Sequence, residues 1–144
     1  MIMIVAEVMN REVKTVEVGT SVREAAEIMN ENRIGSLIVV ENGAVAGIVT
    51  ERDILTKVVA EGKDPSRVKV EEIMTRDFVS IGPGDSVEDA ADTMTRYGVK
   101  KLPVIEGNRL VGIITASDIV ASERKLLEKL SELFVVPKGT RAAL

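Results

Sequence analysis

The sequence predicts an α/β (α+β) fold made of two copies of one unit, packed together as a pseudo-two-fold pair. Two observations carry this expectation. Sliding the 144-residue chain by 65 positions (Met74 minus Met9) aligns its halves without a gap. Each half also alternates helical apolar spacing with short β-rich runs bounded by turn residues. The register holds from Met9 on Met74 through Gly19 on Gly84, Ser21-Val22 on Ser86-Val87 and Ala25-Ala26 on Ala90-Ala91. It continues through Met29 on Met94, Leu37 on Leu102, Gly47-Ile48 on Gly112-Ile113, Thr50 on Thr115 and Asp53-Ile54 on Asp118-Ile119. Chance does not keep one register over so long a span, so the repeat is sought before any local feature.

The elements follow in order. Ser21 and Ser86 have the character of helix N-caps, with Glu24 and Asp89 at capping-box positions three residues on. Val22, Ala25, Ala26, Ile28 and Met29 then recur at helical spacing, as do Val87, Ala90, Ala91 and Met94. Gly98 is placed to end the second of these helices, where a left-handed backbone costs glycine little. Leu37-Ile38-Val39-Val40 and Leu102-Pro103-Val104-Ile105 read as strands, each followed by hairpin chemistry in Asn42-Gly43 and Gly107-Asn108. The returning strands are Val45 to Val49 and Leu110 to Ile114, apolar enough to need cover on both faces. After Thr50 a helix carries Ile54, Leu55, Val58 and Val59 and stops near Gly62. Its counterpart after Thr115 carries Ile119 and Val120 and continues through Leu126, Leu127, Leu130, Leu133 and Phe134 as an apolar stripe. Lys63-Asp64-Pro65-Ser66-Arg67 reads as the connection between copies. The domain division is therefore residues 1–65 for the first repeat (linker from about 62), 66–122 for the second, and 123–144 for a helical extension and tail. One copy alone has too small a core, so the two must pack as one unit.

Composition narrows the function. Hydrophobic residues at 45 % and charged residues at 29 % describe a globular chain. A net charge of −4 and aromatics at 2 % argue against nucleic-acid binding, which needs dense positive charge and stacking platforms. Absence of Cys and His removes thiolate and imidazole chemistry, both for metals and for catalysis. No paired-carboxylate motif or phosphate loop replaces them, so the chain is expected not to be an enzyme. Met1-Ile2-Met3-Ile4-Val5-Ala6 meets an acid at Glu7, too soon for a signal-peptide core, and no apolar run reaches membrane-spanning length. A cytoplasmic location with no membrane association is the expectation.

Three duplicated motifs resemble the tandem CBS-domain pair, or Bateman module. They are Val8-Met9-Asn10-Arg11 with Ile73-Met74-Thr75-Arg76, Ile34-Gly35-Ser36-Leu37-Ile38-Val39-Val40 with Val99-Lys100-Lys101-Leu102-Pro103-Val104-Ile105, and Gly47-Ile48-Val49-Thr50-Glu51-Arg52-Asp53 with Gly112-Ile113-Ile114-Thr115-Ala116-Ser117-Asp118. The resemblance runs from about Ala6 to Ser122 and implies two β-α-β-β-α repeats packed sheet to sheet with two related clefts between them. It further implies a regulatory role, such as energy sensing, through binding of AMP, ADP, ATP or an S-adenosylmethionine-like ligand, with no required cofactor and no metal. By that likeness Thr50, Arg52 and Asp53 share one cleft with Val79, Ser80, Val99, Lys100, Lys101 and Pro103. Thr115, Ser117 and Asp118 share the other with Lys14, Thr15, Ile34, Gly35, Ser36 and Ile38.

The residue types suit that chemistry. A carboxylate accepts both hydroxyls of a ribose diol. A Thr hydroxyl, the first free N–H groups of a helix and nearby Lys or Arg side chains receive phosphate. Val79, Val99 and Pro103 would flank an adenine. The first cleft, with Arg52, Lys100 and Lys101, is expected to prefer a phosphorylated ligand. The second has Ser117, Gly35 and Ser36 at the matching places, and Ile38 where the family usually has a proline, and is expected to be weaker or tuned to a less charged group.

Plainer roles stay open beside these. Thr50-x-x-Asp53 and Thr115-x-x-Asp118 are also ordinary capped helix starts, and Lys100-Lys101 also suits a solvated strand end. Arg52 also suits a surface pair with Glu51 or Glu24. Met9, Met29, Met74 and Met94 read as core filler, and Gly47 and Gly112 as points of close backbone approach. The C-terminal stripe either caps the chain's own core or forms an interface, and a homodimer is the default. A regulated partner would be a separate polypeptide. The alternative function is a protein-interaction module with vestigial clefts, docking through that helix.

Overall fold

The computed structural model describes residues 3–134. The expected tail Val136 to Arg141 lies outside the described residues. A short helix α1 (Val5–Val8) leads into β1 (Thr15–Glu17), α2 (Val22–Asn32), β2 (Ser36–Glu41), β3 (Ala44–Thr50) and α3 (Glu51–Ile54). The chain continues from α3 as a π-helical turn, Leu55–Val59. The second copy runs through α4 (Val70–Ile73), α5 (Val87–Tyr97), β4 (Lys101–Glu106), β5 (Arg109–Thr115) and α6 (Ala116–Ser131).

Local chemistry sets these bounds as expected. Ser21 Oγ accepts the Glu24 N–H at 3.1 Å and Ser86 Oγ accepts the Asp89 N–H at 3.0 Å, so each hydroxyl satisfies a donor the first helical turn leaves open. Helix α5 ends on Gly98 at φ 65°, whereas α2 ends on Arg33 at φ 53°, a left-handed backbone held without glycine. Asn42 (φ 52°) and Gly43 (φ 82°) are both left-handed between paired Glu41 and Ala44, the two-residue turn whose twist matches the strands it joins.

In the first copy β2 pairs parallel with β1 and antiparallel with β3. In the second, β4 pairs with β5 alone, and the counterpart of β1 is reduced to one parallel bridge, Ile81 to Val104. Pro103, in place of Ile38, lacks a donor at one end of the pairing, and Pro83 lacks one at the other. Pro83 stands where the first copy has Val18 (83 minus 65), whose N–H donates to Val40 O at 3.0 Å. Proline has no such donor.

The core is two clusters, and each is completed by the helix that precedes the other copy's first strand. Val70, Ile73 and Met74, from α4 and its end, pack with Val16, Val22, Leu37, Val39 and Val49 of the first copy. Val5 of α1 packs with Ala90, Met94, Leu102, Val104 and Ile114 of the second. Backbone bonds fix the exchange: Val22 N–H donates to Val68 O, and Val87 N–H donates to Met3 O. Asn10 bridges Ile113 and Thr75 bridges Ile48, a matched pair of contacts between the β3 and β5 strands and the leading segments. A Cβ on Gly47 would lie 2.7 Å from Met74 Sδ, and one on Gly112 would lie 2.7 Å from Met9 Sδ. Both glycines thus serve close approach, as the sequence indicates, and Met29, Met74 and Met94 are buried.

Helix α6 reaches Ser131, and its stripe does not cap the core. Leu126, Leu127, Leu130, Leu133 and Phe134 are all exposed. Among the described residues no helix is long and apolar enough to cross a membrane.

Candidate functional site

Strand β3 of the first copy touches β5 of the second, and two cavities open between the copies. The larger measures about 570 Å³. Gly35, Ser36, Ile38, Ile48, Thr50 and Glu51 line it from the first copy; Gly98, Val99, Lys100, Lys101, Pro103 and Ile113 line it from the second. That size lies within the range usual for small-molecule sites. The smaller, about 170 Å³, is lined by Asn10, Glu12, Val13, Lys14, Ile34, Ser36, Ile38, Lys101, Ile113 and Thr115.

The two cavities share a wall of four residues, Ser36, Ile38, Lys101 and Ile113. Its polar centre is a hydrogen bond from Lys101 Nζ to Ser36 Oγ at 3.3 Å. Ile38 and Pro103, related by the repeat, are both buried, so the floor between the copies is apolar while its rim carries the lysines.

The structure brings Thr50 together with Val99, Lys100, Lys101 and Pro103 at the larger cavity, and Thr115 together with Lys14, Ile34, Ser36 and Ile38 at the smaller. It turns Gly35 toward the larger cavity rather than the smaller. Arg52, Asp53, Val79 and Ser80 do not line the larger cavity, and Thr15, Ser117 and Asp118 do not line the smaller. Arg52, Ser80, Thr15 and Ser117 are exposed, and Val79 packs against the second core cluster. Glu51, Ile48, Gly98 and Ile113 enter the larger cavity without having been expected as site residues from the sequence. Glu51 could have been, because the residue after a helix cap necessarily sits at the same strand-to-helix corner.

Both acids fold back onto their caps. Thr50 donates to Asp53 Oδ2 twice, from its N–H at 2.9 Å and from its hydroxyl at 3.0 Å, while Asp53 N–H donates to Thr50 Oγ1 at 3.1 Å. The second oxygen, Oδ1, lies 3.0 Å from Lys57 Nζ. With its side chain only 13 % exposed, the Asp53 carboxylate needs such a counter-charge. Asp118 has a sparser set: Thr115 N–H donates to its Oδ2 at 3.3 Å, and Asp118 N–H donates to Thr115 Oγ1 at 3.0 Å. Where the first copy has Lys57 the second has Ser122 (122 minus 65), whose hydroxyl lies 3.2 Å from Met3 Sδ.

The donors at the helix starts are largely committed. Glu51 N–H donates to Gly35 O at 2.9 Å and Ala116 N–H to Lys100 O at 2.8 Å, in addition to the capping bonds of Asp53 and Asp118. A phosphate at these corners therefore depends on the lysine side chains more than on the backbone. Among the described residues no group of three or more Asp or Glu side chains could hold a metal ion.

Duplicated halves that exchange their leading helices and enclose a ligand-sized recess define a tandem-repeat pair. The chain belongs to the CBS domain family, whose model matches residues 5–60 and 70–125. It is 34 % identical over 119 residues to the CBS domain-containing protein YhcV of Bacillus subtilis, a match covering 83 % of this chain and 84 % of that one. It is 38 % identical over 114 residues to the inosine-5′-monophosphate dehydrogenase of Korarchaeum cryptofilum, covering 78 % of this chain but 23 % of the enzyme. Among solved structures, the CBS domain pair of protein MJ0100 in complex with 5′-methylthioadenosine and S-adenosyl-L-methionine superposes with a TM-score of 0.76 at 31 % identity, covering 87 % of this chain and 98 % of that one.

Proposed function

We propose that this chain is a regulatory module of the cytoplasm that binds an adenosine-containing ligand between its CBS repeats and signals occupancy to a separate partner protein. The observation that carries the proposal is the cavity of about 570 Å³ between the copies, apolar at Ile38, Ile48, Val99, Pro103 and Ile113 and cationic at Lys100 and Lys101. Flat apolar walls suit a purine, and paired ammonium groups at the rim suit phosphate oxygens. Thr50 lines the same cavity at the strand-to-helix corner. Adenosyl ligands held by the MJ0100 pair support the choice of ligand class. The reading includes a non-enzymatic role, supported by the match along 84 % of the length of the CBS domain-containing protein YhcV.

Calorimetric titration with AMP, ATP and S-adenosylmethionine tests the proposal. Saturable binding of at least one is expected, with a phosphorylated ligand preferred at the larger cavity. No heat of binding from any of the three at millimolar concentration contradicts it.

A second reading is favoured by the apolar stripe of α6 and the turn that follows it, where Leu127 is 65 %, Leu133 76 % and Phe134 69 % exposed. On that reading the stripe joins two copies as a homodimer or docks a partner, and the clefts are vestigial. Asp53→Ala would then leave partner capture unchanged, while removal of the chain beyond Ser122 would abolish it.

A further inference from the structure

Lys57 separates the two acids chemically. An ionised carboxylate offers about four lone-pair positions. At Asp53 three are occupied, two by the Thr50 N–H and hydroxyl and one by Lys57 Nζ. At Asp118 one is occupied, by Thr115 N–H at 3.3 Å. A ribose diol presents two donors and needs two acceptor positions, preferably one on each oxygen. By this count Asp118 keeps both positions open beyond its cap bond, whereas Asp53 can open two only by releasing Lys57 from Oδ1 or giving up a bond to its own cap.

Lys57 is also held in place from its other side. Its Nζ donates to Ile73 O at 2.9 Å, at the C-terminal end of α4, where carbonyls lack partners along the helix. Ile73 and Val70 of that helix are buried in the first core cluster, so the acceptor is anchored. The ammonium thus bridges Asp53 and α4 and is not a swinging surface lysine, although its side chain is 44 % exposed. The second copy has no equivalent: Ser122 occupies the position, and α6 continues without a π-helical turn.

We infer that Lys57 is a specificity-determining residue that masks Asp53 from a sugar diol, so that the Asp53 side selects its ligand through phosphate and base while Asp118 is the acid free to read the ribose. The inference rests on the adenosyl-ligand reading above and deepens it. It also makes the chain's two clefts unequal through a residue outside both cavity linings.

The test compares AMP with 2′-deoxy-AMP, so that phosphate and base contributions cancel in the ratio of their affinities. In an Asp118→Ala background, which isolates the Asp53 side, Lys57→Met is expected to raise the preference for AMP over 2′-deoxy-AMP by about tenfold, the worth of one hydrogen bond to a charged acceptor. Lys57→Arg, which keeps a cation on Oδ1, is expected to leave the ratio unchanged. In an Asp53→Ala background, Ser122→Lys is expected to lower the ratio at the Asp118 side. Thermal melts of each variant establish that it is folded. An unchanged ratio in Lys57→Met, with both nucleotides still binding, overturns the masking role and leaves the nucleotide reading intact. Failure of both nucleotides to bind any of the proteins at millimolar concentration overturns that reading and the inference with it.

Discussion

Lys101 Nζ donates to Ser36 Oγ at 3.3 Å, and the two residues hold the same place in successive copies (101 minus 36 is 65). The pseudo-two-fold axis therefore passes through a pair that is chemically unlike: a hydroxyl on one side, an ammonium on the other. This pair stands in the wall common to both cavities.

Lys101→Met is expected to weaken binding of a phosphorylated adenosyl ligand about tenfold, because it removes a charge-assisted donor from both cavities at once. Its effect on stability should stay within about 0.5 kcal/mol, since the side chain is exposed and its bond to Ser36 is long. Calorimetry and urea unfolding on the same samples separate the two quantities.

The exchanged helices predict mutual dependence of the copies. Val5 and Val70 are fully buried in the cluster of the copy that they do not precede. Val5→Ala and Val70→Ala should each cost about 1–3 kcal/mol by leaving a cavity. Each should lower one common unfolding transition rather than split it into two, as followed by circular dichroism in urea.

Gly47→Ala and Gly112→Ala place a methyl against a methionine sulfur at 2.7 Å and a backbone carbonyl at 2.8 or 2.9 Å. The sulfur can swing aside, but the carbonyls of Thr75 and Asn10 are held in bridges to Ile48 and Ile113. A loss of about 1–3 kcal/mol is expected for each, the usual cost of overpacking. The urea midpoint reports it.

Gly19 N–H donates to Glu71 Oε1 at 2.9 Å. This bond, opposed by partial burial and aided by the charges of Lys69 and Arg76, holds the Glu71 carboxyl below the ordinary glutamate range. A carboxyl whose folded pKa is depressed binds a proton more readily when unfolded, so its contribution is complete above the unfolded value and disappears as pH falls through the folded one. Glu71→Gln is therefore expected to be less stable than the parent at neutral pH, with the difference shrinking on acidification. Urea midpoints measured across the acid range check the sign. The first copy has Ala6 at the place matching Glu71 (71 minus 65), so the clasp has no repeat counterpart.

Much of this architecture is legible in the residues. The repeat register, the Ser21 and Ser86 caps, Gly98 and the Asn42-Gly43 turn each express a local rule, and the structure follows them. The exchange of α1 and α4 is not legible, because four-residue helices carry too little periodicity to show which core they fill. The shortened first strand of the second copy was readable in principle from Pro83 and Pro103. For the site, the grouping of Thr50, Lys100, Lys101 and Pro103 came from the family resemblance, and all four line one cavity in the structure. Spacing could not reveal that both acids turn back onto their own caps, a competition between side-chain capping and ligand that only three-dimensional packing resolves. Lys57 carried a usable signal, since it lies four residues after Asp53 on one helical face.

The most direct measurement is the map of backbone amide shifts when AMP is titrated into the isotopically labelled chain. Saturating changes concentrated at Gly35, Ser36, Thr50 and Val99 to Lys101 are the predicted result. Changes confined to the exposed face of α6, or none at all at millimolar AMP, ATP and S-adenosylmethionine, would contradict an adenosyl site between the repeats.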